Sequence, residues 1–394
     1  MSRIEELIER LCPDGVEYKK LGEIGEFIRG NGLQKKDFVE EGFPCIHYGQ
    51  IYTYYGSFVY ETKSFVSHEL ANKLRKAQPG DLIITTTSEN VEDVCKTVAW
   101  LGKSDVAIGG HSCLFRHNEN PKYLTYMTQT NDFMSQKKSA AIGTKVIDVS
   151  CKKLKNFSIP VPPLEVQQEI VRILDNYSAT VAKLQADLNE ELELRKKQYE
   201  YYRDKLLSFN DIGGGTQDVI WKKLSEICDI KRGIRVVKRQ LSDDDLYPVY
   251  QNSIVPLGYY SRHNTDAETT FIICAGAAGK IGYSKVKFWA ADDCFCIKPK
   301  DQLIDKYVYY YLMNNHLYFE SRVRKAGIPR LSRSSIEPFL IPIPPLPEQQ
   351  RIVSILDKYE ASVTQLSAQL KAEIAALNQQ YEYYRDQLLT FKQK

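Results

Sequence analysis

One segment of this chain is written twice. Residues 159–209 and 341–391 align at a constant offset of 182 without a gap, and 29 of the 51 positions are identical. Repetition on that scale decides the architecture before local propensity is consulted, because each copy must fold the same way. A weaker echo precedes each copy. Tyr18-Lys19-Lys20-Leu21-Gly22-Glu23-Ile24 returns as Trp221-Lys222-Lys223-Leu224-Ser225-Glu226-Ile227, and Arg29-Gly30 returns as Arg232-Gly233, both at an offset of 203. Phe43-Pro44 and Tyr247-Pro248 follow, and then the sequences diverge. The order is a variable domain, a shared segment, a second variable domain and the shared segment again. Two unlike domains on one scaffold predict two unlike things being read.

Each shared segment opens with a Pro-x-Pro-Pro stretch, Pro160 to Pro163 and Pro342 to Pro345, which marks a stiff exit from the preceding domain. A helical period follows. Ile352, Leu356, Tyr359, Val363, Leu366 and Leu370 alternate steps of four and three, and Ile374, Leu377, Tyr381, Tyr384 and Leu388 continue after one extra step of four. Ile170, Leu174, Tyr177, Val181, Leu184, Leu188 and Leu192 repeat the pattern. This predicts a coiled-coil seam with a stutter on helices of about 40 residues, roughly 60 Å long. A narrow seam needs a partner, and the obvious one is the other copy, paired either antiparallel or parallel. Gly213-Gly214-Gly215 offers a flexible connection after the first helix. Ile4, Leu7, Ile8 and Leu11 predict a short amphipathic helix placed, relative to Lys19-Lys20-Leu21, where the end of the first long helix stands relative to Lys222-Lys223-Leu224. Packing of that helix near the end of the second long helix would close a circle.

Length and composition fit two or three globular domains: 394 residues, 43% hydrophobic and 26% charged. No run of 18 apolar residues predicts a membrane span, and the acidic start of the chain is unlike a signal peptide. Nine scattered cysteines form no C-x-x-C pair, so reduced thiols in a cytoplasm are expected rather than a metal site. Net charge is +3, so any nucleic-acid surface must be local.

The variable domains read as mixed α/β with strands dominant: residues 81–86 and 270–274 as buried strands, with short helices near 123–135 and 307–324. Cys274-Ala275-Gly276-Ala277-Ala278-Gly279-Lys280-Ile281 approaches a phosphate loop, but Cys274 replaces the first glycine and Ile281 the magnesium-binding hydroxyl. An NTP-binding role centred on Gly276 to Lys280 is therefore a lesser alternative. Val161-Pro162-Pro163-Leu164 has the prolines of an adenine-methyltransferase motif without its amide or aromatic, and no H-x-E or paired-histidine motif exists. Basic clusters favour nucleic acid instead. Lys222, Lys223, Lys231, Arg232, Arg235, Lys238 and Arg239 crowd 18 residues, and Arg322, Arg324, Lys325, Arg330 and Arg333 precede the second proline exit. Lys35-Lys36, Lys137-Lys138, Lys145 and Lys152-Lys153-Lys155 stand comparably in the first domain. A single such run merely solvates a surface as often as not; recurrence in both halves argues for phosphate contacts.

Two variable domains, each leading through Ile-Pro-x-Pro-Pro-Leu and Gln-Gln-x-Ile-Val-x-Ile-Leu-Asp into a long helix, resemble the specificity subunit of type I restriction–modification systems. The resemblance covers the whole chain and is carried most specifically by Ile341-Pro342-Ile343-Pro344-Pro345-Leu346-Pro347-Glu348-Gln349-Gln350. Gly143-Thr144-Lys145-Val146-Ile147 and Gly327-Ile328-Pro329-Arg330-Leu331-Ser332 add to it. It implies an α/β (α+β) fold of two mixed-sheet target recognition domains separated by two long antiparallel helices, with a pseudo-twofold repeat. The expected domains are residues 1–159 and 211–341, and the expected helical segments 160–210 and 342–394. It implies a non-catalytic, cytoplasmic subunit that binds double-stranded DNA at a bipartite asymmetric site. Two methyltransferase subunits and the restriction subunits would dock on it, with S-adenosylmethionine, ATP and magnesium on those partners and no cofactor, metal or membrane in this chain. Candidate DNA contacts are Lys35, Tyr48, Gln50, Thr87, Ser88, Asn90 and Lys145 in the first half, and Arg232, Arg235, Gln251, Asn252, Lys280, Arg330 and Arg333 in the second. Tyr201, Arg203, Tyr383 and Arg385 are candidate partner contacts, while Tyr199, Tyr202, Tyr381 and Tyr384 fall on the seam. The rival class is a coiled-coil scaffold with protein-binding domains.

Overall fold

A computed structural model describes residues 3–209, 219–242 and 244–394. The glycine run at 213–215 lies outside the described residues. The chain divides into two compact units, residues 1–187 with 372–394, and residues 188–371. The long helices, Leu164–Leu207 and Leu346–Leu388, each contribute one part to either unit.

The first unit is built on a five-stranded sheet in the order Gly25–Arg29, Ser112–His117, Leu82–Thr85, Thr97–Trp100 and Phe58–Val59. All neighbours run antiparallel except the last pair. Alternation along a strand sends successive side chains to opposite faces. Leu82 and Ile84 accordingly join one core cluster with Phe27, Phe115 and the helices, whereas Ile83 faces Ile46, Val106 and Ile108 of a second five-stranded sheet. This sheet is therefore covered on both faces, and each fully buried aliphatic side chain stabilises it by about 1.5–3 kcal/mol. The second unit repeats the plan more sparely. Its four-stranded antiparallel sheet, Cys228–Arg232, Cys294–Pro299, Thr269–Ile273 and Ile281–Ser284, sends Ile272, Ile297 and Ile230 to the helices. Phe271, Ile273 and Cys294 face Phe288 and Ala290, the latter on the three-stranded sheet. The region expected to be helical at 123–135 forms two helices, Pro121–Met127 and Asn131–Ala140, the second capped by the Thr130 hydroxyl, which accepts from Phe133 N at 3.3 Å. Residues 307–324 resolve into Asp305–Asn314 and His316–Glu320.

The repeated motifs are the joints between each domain and its helix. Gln167 and Gln349 are fully buried. The Gln349 amide donates to Pro344 O (2.8 Å) and Gln302 O (2.9 Å) and accepts from Ile304 N (2.9 Å). Gln167 donates to Pro162 O (2.8 Å) and Glu119 and accepts from Asn120 N. The hydroxyls of buried Tyr123 and Tyr307 donate to Pro160 O (2.9 Å) and Pro342 O (3.1 Å). Asp175 and Asp357, the acids of the Ile-Leu-Asp motif, each accept from a tyrosine, Tyr126 at 2.7 Å and Tyr310 at 2.6 Å. Each also pairs with a lysine, Lys122 at 2.6 Å and Lys306 at 2.7 Å. Burial, reinforced by the carboxylates, pushes both tyrosine hydroxyls well up, so they stay donors.

The expected seam therefore has two partners. Ile170 and Leu174, with Ile352 and Leu356, are buried in the cores of the domains, which the end of the other helix also joins through Tyr381 and Leu388 in the first unit and Tyr199 and Leu207 in the second. Beyond them the helices pair with each other, and within each unit they run antiparallel. In the first unit Tyr177 stacks on Tyr381 (5.6 Å between ring centroids) and meets Tyr384 (6.1 Å), while Gln185 reaches Asn378. In the second, Tyr202 stacks on Tyr359 at 5.7 Å. Tyr177 and Tyr359 are repeat equivalents, as are Tyr202 and Tyr384, so one aromatic contact occurs twice. The N-terminal helix, Arg3–Leu11, packs where its placement predicts. Val16 N donates to Lys392 O and Lys394 N to Val16 O, and Ile4, Cys12 and Leu389 share a core. Gly15, at φ +103°, leaves room for this: a Cβ there would lie 2.6 Å from Lys392 O.

Candidate nucleic-acid interface

In the first unit five loops meet at one end of the main sheet. Arg29 ends a strand, and Gly30 follows it so closely against the turn at 109–111 that a Cβ would lie 2.1 Å from Gly109 O. The chain then turns through Lys35–Asp37, where Lys35 passes beside Gly49. The helix Tyr48–Thr53 carries Tyr48, whose ring lies 4.5 Å from His47 and 4.7 Å from His111. His111 Nδ1 is 3.1 Å from Thr87 Oγ1, and Tyr52 donates to Thr87 O at 2.8 Å. Thr87 and Ser88 pair with Ile147 and Asp148, the return arm of a hairpin closed by Ile142 and Asp148 and bearing exposed Lys145. Lys35, Tyr48, Thr87, Ser88 and Lys145 thus come together. Gln50 is present but turned inward: it accepts from His47 N and donates to Ser64 Oγ at 2.6 Å. Asn90 is engaged with Asp93 in its own turn.

The second unit builds the same frame from different residues. A Cβ on Gly233 would lie 2.2 Å from Ala291 O. Arg232 Nε donates to Asp292 O at 2.7 Å, as Arg29 Nε does to Gly110 O at 3.5 Å. Ala275 pairs with Arg330, as Thr87 does with Asp148, and Arg324 and Arg330 close the hairpin as Ile142 and Asp148 do. Asn252 lies against the turn that holds Gly276 (φ +82°), and its carbonyl accepts from Ala277 N. Arg232, Gln251, Asn252 and Arg330 therefore gather with the 274–280 turn, and Arg235 is exposed on the loop beside them. Lys280 and Arg333 also lie here, paired with Glu320 (2.8 Å) and Glu337 (2.8 Å). Lys280 holds the Glu320 carboxyl below the usual range by donating a hydrogen bond to it. The phosphate-loop reading fails on geometry. Residues 274–280 close a hairpin between Thr269–Ile273 and Ile281–Ser284, and no helix follows to aim its N–H groups at a phosphate.

Sequence reading missed His47 and His111, which have no motif; their signal is their flanking of two loops that meet only in three dimensions. Burial, with help from Lys35 and His111, holds the His47 imidazole below its ordinary pKa. Lys137 is not a surface cation: it is buried and donates to Glu92 O at 2.8 Å. All nine cysteines are free, and among the described residues no cluster of ligating side chains is placed to hold a metal. Among them, too, no helix is long and apolar enough to cross a membrane. Of the candidate partner contacts, Tyr201 (61%) and Tyr383 (60%) expose their rings. Arg203 is held by Asn314 (2.7 Å) and Asp204, and Arg385 is buried against Asp386 (2.8 Å).

Two stretches, residues 13–194 and 217–376, match the family described as type I restriction modification DNA specificity domain. The chain belongs to this family. Each specificity domain ends in one of the long helices and carries one loop cluster. A putative type I restriction enzyme specificity subunit of Haemophilus influenzae is 31% identical over 293 residues, 68% of this chain and 71% of the relative. The EcoR124I/EcoR124II specificity subunit of Escherichia coli is 31% identical over 271 residues; the match takes in 60% of this chain and 63% of that relative's length. The fold agrees with a chain solved in a study of assembly and conformational transition in a type I R-M system (TM-score 0.75, 19% identity, 96% and 98% of the two chains). It agrees also with the HsdS subunit of Thermoanaerobacter tengcongensis (TM-score 0.60, 18% identity, 96% and 97% of the two chains).

Proposed function

We propose that this chain is the DNA-recognition subunit of a type I restriction–modification complex, each specificity domain reading one half of an asymmetric, interrupted site. The observation that carries this is the loop cluster itself: one backbone frame, built twice, presenting basic and hydrogen-bonding side chains that differ between the copies. Exposed cations such as Lys35, Lys145, Arg235 and Arg330 set register on phosphates, and polar side chains at the loop tips test base edges in the major groove. The long helices fix the gap between half-sites. Methyltransferase subunits dock on the shared segments, with the exposed Tyr201 and Tyr383 in their footprint. They carry S-adenosylmethionine and receive an adenine flipped from the duplex. A restriction subunit supplies ATP-dependent translocation and cleavage. This chain performs no chemistry of its own.

The test is a domain exchange. Residues 30–145 are replaced by the equivalent stretch of another specificity subunit, and the complex's methylated sites are read by methylation-sensitive sequencing. One half-site should change while the other half and the spacing stay. An exchange that alters both halves, or neither, defeats the reading.

A further inference from the structure

The turn that precedes the second strand of each main sheet is held the same way in both domains. Gly30 N donates to Ser112 O (2.9 Å) and Gly233 N to Cys294 O (3.0 Å). Arg29 and Arg232 donate to the carbonyls of Gly110 and Asp292. Thr86 N donates to His111 O (2.9 Å) and Cys274 N to Asp293 O (2.7 Å). Every one of these contacts uses the turn's backbone and none its side chains. Position and direction are thus fixed, while identity is free, and identity differs completely: Gly110-His111 in one domain, Asp292-Asp293 in the other.

The turn also lies in the middle of the loop cluster. In the first domain exposed His111 touches Tyr48 and Thr87, and when the Thr87 hydroxyl donates to Nδ1 the ring proton sits on the other nitrogen, a donor for an outside partner. In the second domain Asp292 keeps one carboxylate oxygen, Oδ1, buried with no hydrogen-bond partner. A buried acceptor without a donor costs stability, so folding alone does not account for an acid there. Asp292 as a whole is only half-buried, so a rotation of its carboxylate would bring that oxygen to a donor arriving with a ligand and repay the cost. The exocyclic amines of cytosine and adenine are such donors in the major groove, and carboxylates are their natural acceptors.

Resting on the reading of the chain as a DNA-recognition subunit, we infer that residues 110–111 and 292–293 are paired specificity positions: Asp292-Asp293 selects a base with an exocyclic amine in one half-site, and His111 selects a base that presents an acceptor in the other. Chemically this makes the two domains opposite at one matched place on a common frame, an acceptor pair against an imidazole.

The experiment uses the full chain assembled with its methyltransferase subunits. Bound sequences are selected from duplexes randomised at every position, for the unmodified complex and for the D292N, D293N and H111Q variants. D292N or D293N should lower discrimination at one position of one half-site by roughly ten- to a hundredfold, leaving the other half-site unchanged. H111Q should do the same in the opposite half-site. The Asp292→Asn chain should melt no lower than the parent, which separates a recognition role from a structural one. Unchanged preferences in all three variants overturn the inference, and so does a uniform loss of affinity at every sequence. An unmodified complex that selects no sequence at all instead overturns the recognition reading on which the inference stands.

Discussion

His117 and His47 both resist protonation in the folded first domain. Burial holds the His117 imidazole below its ordinary pKa, partly countered by Asp81; burial, Lys35 and His111 do the same to His47. For a base whose folded pKa lies below its unfolded value, the unfolded chain binds more protons between the two. Stability is then complete above the ordinary histidine pKa near 6.5 and falls as pH drops through it. Each histidine can cost at most about 1.4 kcal/mol in the first pH unit below that point. Urea midpoints of the parent should fall between pH 7.5 and 5.5, and His117→Gln should flatten the fall; an identical pH dependence in that variant removes His117 from the account. Sequence patterning showed neither histidine's role, because burial comes from strands and loops far apart in the chain. Gly30 and Gly233 were more legible. Their repetition after arginine at a fixed offset marks a position under backbone constraint, and the Cβ distances of 2.1 and 2.2 Å supply the reason.

Among the elements, the long helices were the most readable part of the chain and also the part read too simply. Periodicity shows which side chains leave one face of a helix, not what they meet. Ile170, Leu174, Ile352 and Leu356 belong to the same stripe as Tyr177 and Tyr359, yet they meet a domain core as well as the end of the other helix. The Gln-Gln and Ile-Leu-Asp motifs were visible as conserved between copies without their purpose, because a buried amide bonded to a proline carbonyl leaves no periodic signature. Past the domain cores the stripe continues as expected: Val181, Leu184, Leu188, Val363, Leu366 and Leu377 are half-buried and Leu370 is buried, with the tyrosine contacts added near each end. A double-mutant cycle on Tyr177→Ala and Tyr381→Ala should give a coupling of about 0.5–1.5 kcal/mol. Tyr177→Ala with Tyr201→Ala should be additive, since Tyr201 exposes its ring. Coupling near zero in the first pair would mean the stack is incidental to helix pairing.

For the molecule as a whole, net charge near neutrality means that affinity for DNA cannot come from a general basic surface. On the proposed function it comes from the cations exposed at the loop clusters, above all those without an ion-pair partner. Ion pairing decides which these are: Lys280 and Arg333 are matched by Glu320 and Glu337, and Lys137 is buried, whereas Lys35, Lys145, Arg235 and Arg330 are exposed on the loops. A run of basic residues in sequence does not distinguish these cases, which is why candidate contacts drawn from such runs mix structural and available charges. The difference is measurable. Each phosphate contact removed lowers the slope of log affinity against log salt by about 0.9. Lys145→Ala and Arg330→Ala should each lose close to that amount, weakening binding to cognate and random duplexes alike. Lys137→Met, which removes a buried cation already satisfied by Glu92 O, should leave the slope unchanged. Equal slopes for Lys145→Ala and the parent would place the hairpin tip away from the DNA backbone, and the phosphate register would then have to be sought on the Lys35 and Arg235 loops.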